Sequence, residues 1–329
     1  MTDPNALKQA VMLAMAPIAD DLKEVERIIS EEMASSVGQV EEIARYITSA
    51  GGKRMRPALL LLMARAMGAD PAKAAFLGAV IEILHTATLM HDDVVDEGMM
   101  RRGRATANAQ WGNAKAVLVG DFFYTRSFQM MVRAGNLKVM QALSDAANRL
   151  SEGEVLQMNN AHDPHTDEAR YFAVIERKTA CLFEAAAHMA AAVAEAPAEQ
   201  EDACARYALH LGNAFQITDD ILDYRGEAAT IGKNLGADLR EGKVTLPLLY
   251  AMRCAAPEEK ALIESAIRNG DGDFEAISTI VVKSGALEMC RKRALEEAER
   301  CVQALNALPS GQLKDSLVQF IFLSVQRDR

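Results

Sequence analysis

Two stretches of the 329-residue chain repeat one arrangement of carboxylates: His91-Asp92-Asp93-Val94-Val95-Asp96 and Thr218-Asp219-Asp220-Ile221-Leu222-Asp223. Each is a DDxxD near the end of a long apolar run with helical spacing, which sets its first and last Asp, four positions apart, on one helix face. Like charges at that spacing repel, so the pattern asks for a compensating cation. Oxygen ligands without His or Cys suit Mg²⁺, an ion that keeps waters and shares itself with phosphate groups. A solvated acidic helix end accounts for one such motif as well as a metal does. Two copies, both bordered by apolar residues, favour the metal.

Basic residues gather at two places, Gly51-Gly52-Lys53-Arg54-Met55-Arg56-Pro57 and Arg101-Arg102-Gly103-Arg104, the second shortly after the first aspartate motif. Lys and Arg are the donors for diphosphate oxygens, and Gly lets backbone approach closely. The chain as a whole is acidic, with Lys+Arg 36 against Asp+Glu 46 and a net charge of −10. That balance argues against broad nucleic-acid or anionic-membrane binding, so local basic clusters beside metal-binding acids point to a bound polyanion.

These groups have to be carried by helices. Gly 20 and Pro 9 are few for this length, aromatic residues are 5%, and hydrophobic types are 50%. Asp70-Pro71 is a helix start, and apolar spacing runs from there to about Asp96, with Gly98 marking the end. Further helical patterns cover 20–35, 40–49, 57–67, 114–134, 137–160, 167–196 and 199–224. Residues 225–242 read as a loop before helix resumes around Pro247, and no hairpin signature is visible. The expectation is an all-α protein with residues 1–329 forming one large helical domain. Cys181, Cys204, Cys254, Cys290 and Cys301 are an odd set without metal-ligand spacing, which predicts reduced, mostly buried thiols and a cytoplasmic location. The N-terminus lacks the features of a signal peptide, and the most apolar stretches, 58–67 and 185–194, are shorter than a membrane span, so no integral membrane segment is expected.

GGKRMRP, HDDVVDEGMMRRG, ERKTACLF, FQITDDILDY and GKNLGADLREGKVTLPL, in that order between about Ala44 and Leu249, closely resemble the trans-isoprenyl diphosphate synthases, the long-chain polyprenyl members in particular. The ending from Val325 to Arg329 is similar to that of octaprenyl-type members. The resemblance implies an antiparallel bundle of helices around a deep central cavity, generally a homodimer, acting on isopentenyl diphosphate and an allylic prenyl diphosphate with Mg²⁺, more than one ion per site. By the same resemblance, Lys53, Arg56, His85 and Arg102 hold the diphosphate of isopentenyl diphosphate. Asp92 and Asp96 are metal ligands with Asp93 beside them, and Arg101 contacts the allylic diphosphate. Asp219 leads the second metal set, supported by Asp220 and Asp223. Lys178, Thr179 and Gln216 line the allylic carbon, and Lys233 and Lys243 bind the leaving diphosphate. His85 lies seven residues before Asp92, two turns away on the same face, which suits two diphosphates side by side.

The implied reaction is electrophilic. Charge building on the departing diphosphate is stabilised, an allylic cation forms, the isopentenyl double bond attacks it, and the released diphosphate takes a proton. Product length is expected to follow the helix face running back from Asp92 through Thr88, Ala87, Leu84 and Val80, where each turn of about 5.4 Å is near one prenyl unit. Thr88 and Ala87 are small, so the tail can pass. Phe76, Phe122, Phe123 and Phe128 are candidates for the floor, though plain core packing claims them equally. A product of octaprenyl to decaprenyl size for a quinone side chain is the expectation. A terpene cyclase shares the aspartate motif but normally lacks a GGKRMRP-like second diphosphate site; a non-catalytic partner subunit usually loses aspartates; a generic lipid-binding helical protein explains neither DDxxD.

Overall fold

The computed structural model describes residues 11–225 and 235–325. Lys233 and the last four residues lie outside them. Apart from one short hairpin, the regular elements of the described residues are helices, and they pack as two compact units: residues of 1–145, 182–206 and 304–320 in the first, and of 146–181, 207–303 and 321–329 in the second.

In the first unit the helices are α1 (Ala19–Glu32), α2 (Gly38–Ser49), α3 (Met55–Ala66), α4 (Pro71–Val95), α5 (Ala107–Trp111) and α6 (Asn113–Ala134). The Asp70 carboxylate accepts hydrogen bonds from the backbone N–H groups of Ala72 (2.8 Å) and Lys73 (3.2 Å), and Pro71 occupies the first turn, the start the sequence announces. α3 is apolar all round and buried along its length, Leu59 to Met63 being wholly covered, as a core helix must be. α4 packs along α3 and α6, and its last turn carries the first aspartate motif. By length and composition α4 could cross a membrane, and 67% of its most apolar window is buried inside protein. Glu82 and His85 interrupt its apolar run in the sequence. It is a core helix, and among the described residues no other helix meets that test.

The hairpin corrects the sequence reading. β1 (Met100–Arg101) pairs antiparallel with β2 (Arg104–Ala105), and the two turn residues, Arg102 (φ 52°) and Gly103 (φ 74°), both have positive φ, the pattern of a type I′ turn. Arg at the first of those positions is not the usual Asn or Asp, so the turn is not announced by its residues.

The chain continues through α7 (Leu137–Asn160), α8 (Glu168–Ile175), a π-helical turn (Glu176–Ala180), α9 (Cys181–Val193) and α10 (Ala198–Arg225), followed by α11 (Ala237–Arg240), α12 (Leu246–Cys254), α13 (Pro257–Asn269), α14 (Phe274–Lys283), α15 (Ala286–Ala304) and α16 (Gln312–Val325). The second unit is built on a core that includes Tyr171, Ile175, Ile217, Ile221, Leu246 and Ile263. Residues 167–196, expected as one helical run, are interrupted where the Cys181 N–H donates to the Glu176 carbonyl five residues back. Such π turns concentrate at functional sites. Two glycines let neighbouring helices close on this one: a Cβ on Gly153 would lie 2.9 Å from the Lys178 nitrogen, and a Cβ on Gly212 would lie 2.5 Å from Ala180 Cα.

Candidate active site

The first aspartate motif ends α4, where the unpaired carbonyls of the helix add negative potential to the carboxylates. Asp92 and Asp96 are half-buried, and Asp93 is turned inward. Arg101 grips Asp93 Oδ1 through Nε (2.8 Å) and a terminal nitrogen (2.7 Å). The segment after the motif is held by Asn108, whose amide donates to the carbonyls of Asp93 (3.1 Å) and Gly98 (3.0 Å), and by the Thr106 hydroxyl, which donates to Gly98 (2.6 Å).

The two basic clusters, far apart in sequence, meet in this unit. Arg102, at the hairpin tip, donates to the Gly51 carbonyl, and its guanidinium lies so close to Gly52 that a Cβ there would be 2.9 Å from it. Arg104 donates to Ser49 Oγ (3.1 Å). Arg54 enters α3 with left-handed backbone (φ 48°) and is locked between Glu26 and the buried Glu82 (2.7 Å to the latter). With Asp93, Tyr46 and Thr48, the arginines 54, 101, 102 and 104 line a small recess open to solvent. Lys53 is exposed on the same loop. Arg56, buried at 8% exposure, stacks over the Phe183 ring (4.6 Å) and reaches His85 Nε2 (3.0 Å). A guanidinium has no acceptor, so Nε2 accepts and His85 carries its proton on Nδ1. Burial first, then the charges of Arg56, Arg102, Arg101 and Arg54, hold the His85 pKa well below its usual 6.5.

In the second unit, the last turns of α10 carry Asp219, Asp220 and Asp223. Asp220 is buried at 2% exposure and accepts from the Tyr171 hydroxyl (2.7 Å) and the Gln216 amide (2.9 Å). Burial, then the nearby Asp238, pushes its pKa well above the usual carboxylate range. Asp223 accepts from the Gly236 N–H (3.1 Å). Three residues grouped by the sequence come together at the π turn: Thr179 donates to the Gln216 carbonyl oxygen (2.9 Å), and Lys178, next along, is held by Glu154 (2.7 Å). Lys243 is paired with Glu241, and Lys233 lies outside the described residues.

Of the proposed length-determining face, Ala87, Leu84 and Val80 are fully packed, and the half-buried Thr88 donates its hydroxyl to the His85 carbonyl (2.8 Å). Phe123 is fully buried; Phe122 and Phe76 lie under Arg126 and Arg133, and Phe128 packs on Tyr124. All five cysteines are free thiols, Cys254 alone among them exposed.

Sequence reasoning passed over Glu82, Asn108, Glu154 and Tyr171. Glu82 had a signal, an acid inside an apolar run three residues before His85; the others acquire meaning only from partners distant in sequence. Among the described residues no three His, Cys, Asp or Glu side chains converge into a ready cage for a metal. Pairs of carboxylates at negative helix ends fit an oxygen-seeking divalent ion that completes its shell with waters and phosphate oxygens.

Residues 37–283 match the family described as polyprenyl synthetase. Octaprenyl diphosphate synthase of Escherichia coli (strain K12) is 47% identical over 94% of this chain and 97% of its own length. The all-trans-nonaprenyl-diphosphate synthase (geranyl-diphosphate specific) of Rhodobacter capsulatus is also 47% identical, over 95% and 97%. Among solved structures, the polyprenyl synthase of Caulobacter crescentus CB15, complexed with calcium and isoprenyl diphosphate, superposes with a TM-score of 0.94 at 38% identity, covering 97% of this chain and 98% of that one. With the motifs, the helical fold and these likenesses in agreement along nearly the whole chain, this protein belongs to the polyprenyl synthetase family and is a prenyltransferase.

Proposed function

We propose that this enzyme is a long-chain trans-polyprenyl diphosphate synthase, which adds isopentenyl diphosphate units head to tail, 1′ to 4, onto an allylic primer such as farnesyl diphosphate until the product reaches octaprenyl to decaprenyl size. The observation that carries this reading is the meeting of the Gly51–Arg56 loop with the Arg101–Arg104 hairpin beside the first aspartate motif. A protein that binds a single diphosphate has no need of this second cationic recess, so consumption of isopentenyl diphosphate separates the synthase from a terpene cyclase.

Lys53, Arg56, His85 and Arg102 bind the isopentenyl diphosphate, with neutral His85 offering Nδ1–H as a donor. Arg101, Lys233 and Lys243 serve the allylic diphosphate. Asp92, Asp96, Asp219 and Asp223, with Asp93 and Asp220 alongside, are the residues that would hold Mg²⁺, and its chemistry, from more than one ion, is neutralisation of charge on the departing diphosphate. Lys178, Thr179 and Gln216 orient the allylic carbon, presenting fixed dipoles where positive charge develops. The released diphosphate accepts the proton that closes each condensation. Relatives making octaprenyl and nonaprenyl products are equally similar to this chain, which supports a long product.

The product serves a quinone side chain, and the enzyme works in the cytoplasm as one synthase domain in a homodimer. Support for the dimer comes from α6, whose Leu118 and Val132 are 67% and 64% exposed along with Val117. Incubating purified protein with farnesyl and isopentenyl diphosphates and Mg²⁺, then sizing products by chromatography, tests the function. Long-chain products are expected; farnesyl diphosphate consumed without isopentenyl diphosphate would overturn it.

A further inference from the structure

A continuous, directional chain of hydrogen bonds runs through the second unit. The Tyr171 hydroxyl donates to Asp220 Oδ2 (2.7 Å), the Gln216 Nε2 donates to Asp220 Oδ1 (2.9 Å), and the Thr179 hydroxyl donates to Gln216 Oε1 (2.9 Å). Tyr171, Asp220 and Thr179 are 5%, 2% and 8% exposed. From these contacts we propose that Tyr171 is a positioning residue for prenyl transfer, setting the Gln216 amide, and through it the Thr179 hydroxyl, by way of Asp220.

The argument is one of donor count. In the observed geometry Asp220 accepts on both oxygens and the Gln216 amide faces it with NH₂. The carbonyl end must then face Thr179, whose single proton is committed to that carbonyl, leaving the Thr179 oxygen lone pairs pointing elsewhere. A carboxylate free to rotate would let the amide flip, and a flipped amide presents NH₂ to Thr179 and reverses the dipole. Tyr171 fixes the carboxylate by occupying its far oxygen. In this arrangement Asp220 works by geometry, as the hinge of the chain, while Asp219 and Asp223 stay half-buried on the same helix end. The inference rests on the roles proposed above for Thr179 and Gln216.

The test is steady-state kinetics of the full-length enzyme with farnesyl and isopentenyl diphosphates and Mg²⁺, on Tyr171→Phe, Gln216→Ala, the double variant, Asp220→Asn and Asp220→Leu. If wild type consumes no isopentenyl diphosphate, the proposed function itself fails, a result distinct from those that follow. Tyr171→Phe should lower kcat about tenfold, the worth of one hydrogen bond to a buried charged group, with KM for both substrates within about twofold. In the Gln216→Ala background the same change should cost less than about twofold, because the link is already cut. A Tyr171→Phe enzyme with wild-type kcat, or one that loses the full factor with Gln216 absent, would overturn the proposal. If Tyr171→Phe does not fold, the Asp220 pair decides. Asn still accepts from Gln216 through its oxygen and can donate to the Tyr171 oxygen, so at saturating Mg²⁺ Asp220→Asn should lose about tenfold less kcat than Asp220→Leu. Equal loss in both means that Asp220 acts by its charge, and the positioning role is wrong.

Discussion

In the first aspartate motif the middle carboxylate, Asp93, meets a guanidinium; in the second, Asp220 meets a phenol and an amide. The outer aspartates are alike in both: half-buried, one helical turn apart, at the negative end of a long helix. The inner residue is where the copies diverge. Asp93 anchors a hairpin by an ion pair and so brings Arg102 and Arg104 to the Gly51 loop. Among the described residues Asp220 meets neutral donors and aligns an amide. One spelling therefore supports two architectures, because the inner residue is committed to whichever helix or strand packs against it.

The most severe way to break the comparison is to remove an outer aspartate from each motif. Asp92→Ala and Asp219→Ala should each cost on the order of a thousandfold in turnover with the fold retained by circular dichroism; near-normal activity in either shows that the two copies are not functional equivalents. Next is the face behind the first motif. Ala87→Phe should cap the product several prenyl units short on chromatography while condensation continues, since an aromatic ring fills about one turn of that helix face. An unchanged product refutes the ruler.

The inner residues separate by stability. Asp93→Ala removes one half of a largely buried ion pair and should lower unfolding free energy in urea by about 3 kcal/mol while raising KM for isopentenyl diphosphate. A loss too small to measure would mean that Arg101 does not depend on it. Smaller effects are expected from the glycines. Gly212→Ala drives a methyl into the Ala180 backbone and should cost about 1–3 kcal/mol and reduce kcat. Gly52→Ala meets only the movable end of Arg102 and should raise KM for isopentenyl diphosphate with kcat kept. Reversal of that order would contradict the close backbone packing of Gly212 against the π turn.

The mildest test is pH. His85 has a folded pKa depressed below its unfolded value of 6.5, so the unfolded chain binds the extra proton first. Stability from this group is present above about pH 6.5 and is lost as pH falls below it, by at most about 1.4 kcal/mol per pH unit. Urea melts between pH 5 and 7 should show that slope in wild type and a flatter one in His85→Gln; identical slopes would show that the neutral histidine contributes nothing.

Much of this site was legible in one dimension. The α4 start at Asp70-Pro71, the two carboxylates on one helix face and the basic character of the Gly51–Arg56 and Arg101–Arg104 segments all depend on neighbours within a few residues, and the structure agrees with them. The hairpin at Arg102 is not legible in the sequence, because its turn relies on a residue that does not favour positive φ and is held there by Gly51, half a hundred residues away. The break at Glu176–Ala180 is likewise not local: Gly153 and Gly212, on other helices, let the neighbouring backbones close in on it.

By itself, then, the sequence determined the helices, the family, and the chemical kind of each motif, since helical periodicity and residue type are local properties that survive without a partner. Only the tertiary structure decided which carboxylate of each motif turns inward and what receives it. Tyr171 for Asp220 and Glu82 for Arg54 are contacts across 49 and 28 residues, Arg101 reaches Asp93 only because the hairpin folds back, and a buried charge or dipole takes its role from the groups that packing sets against it.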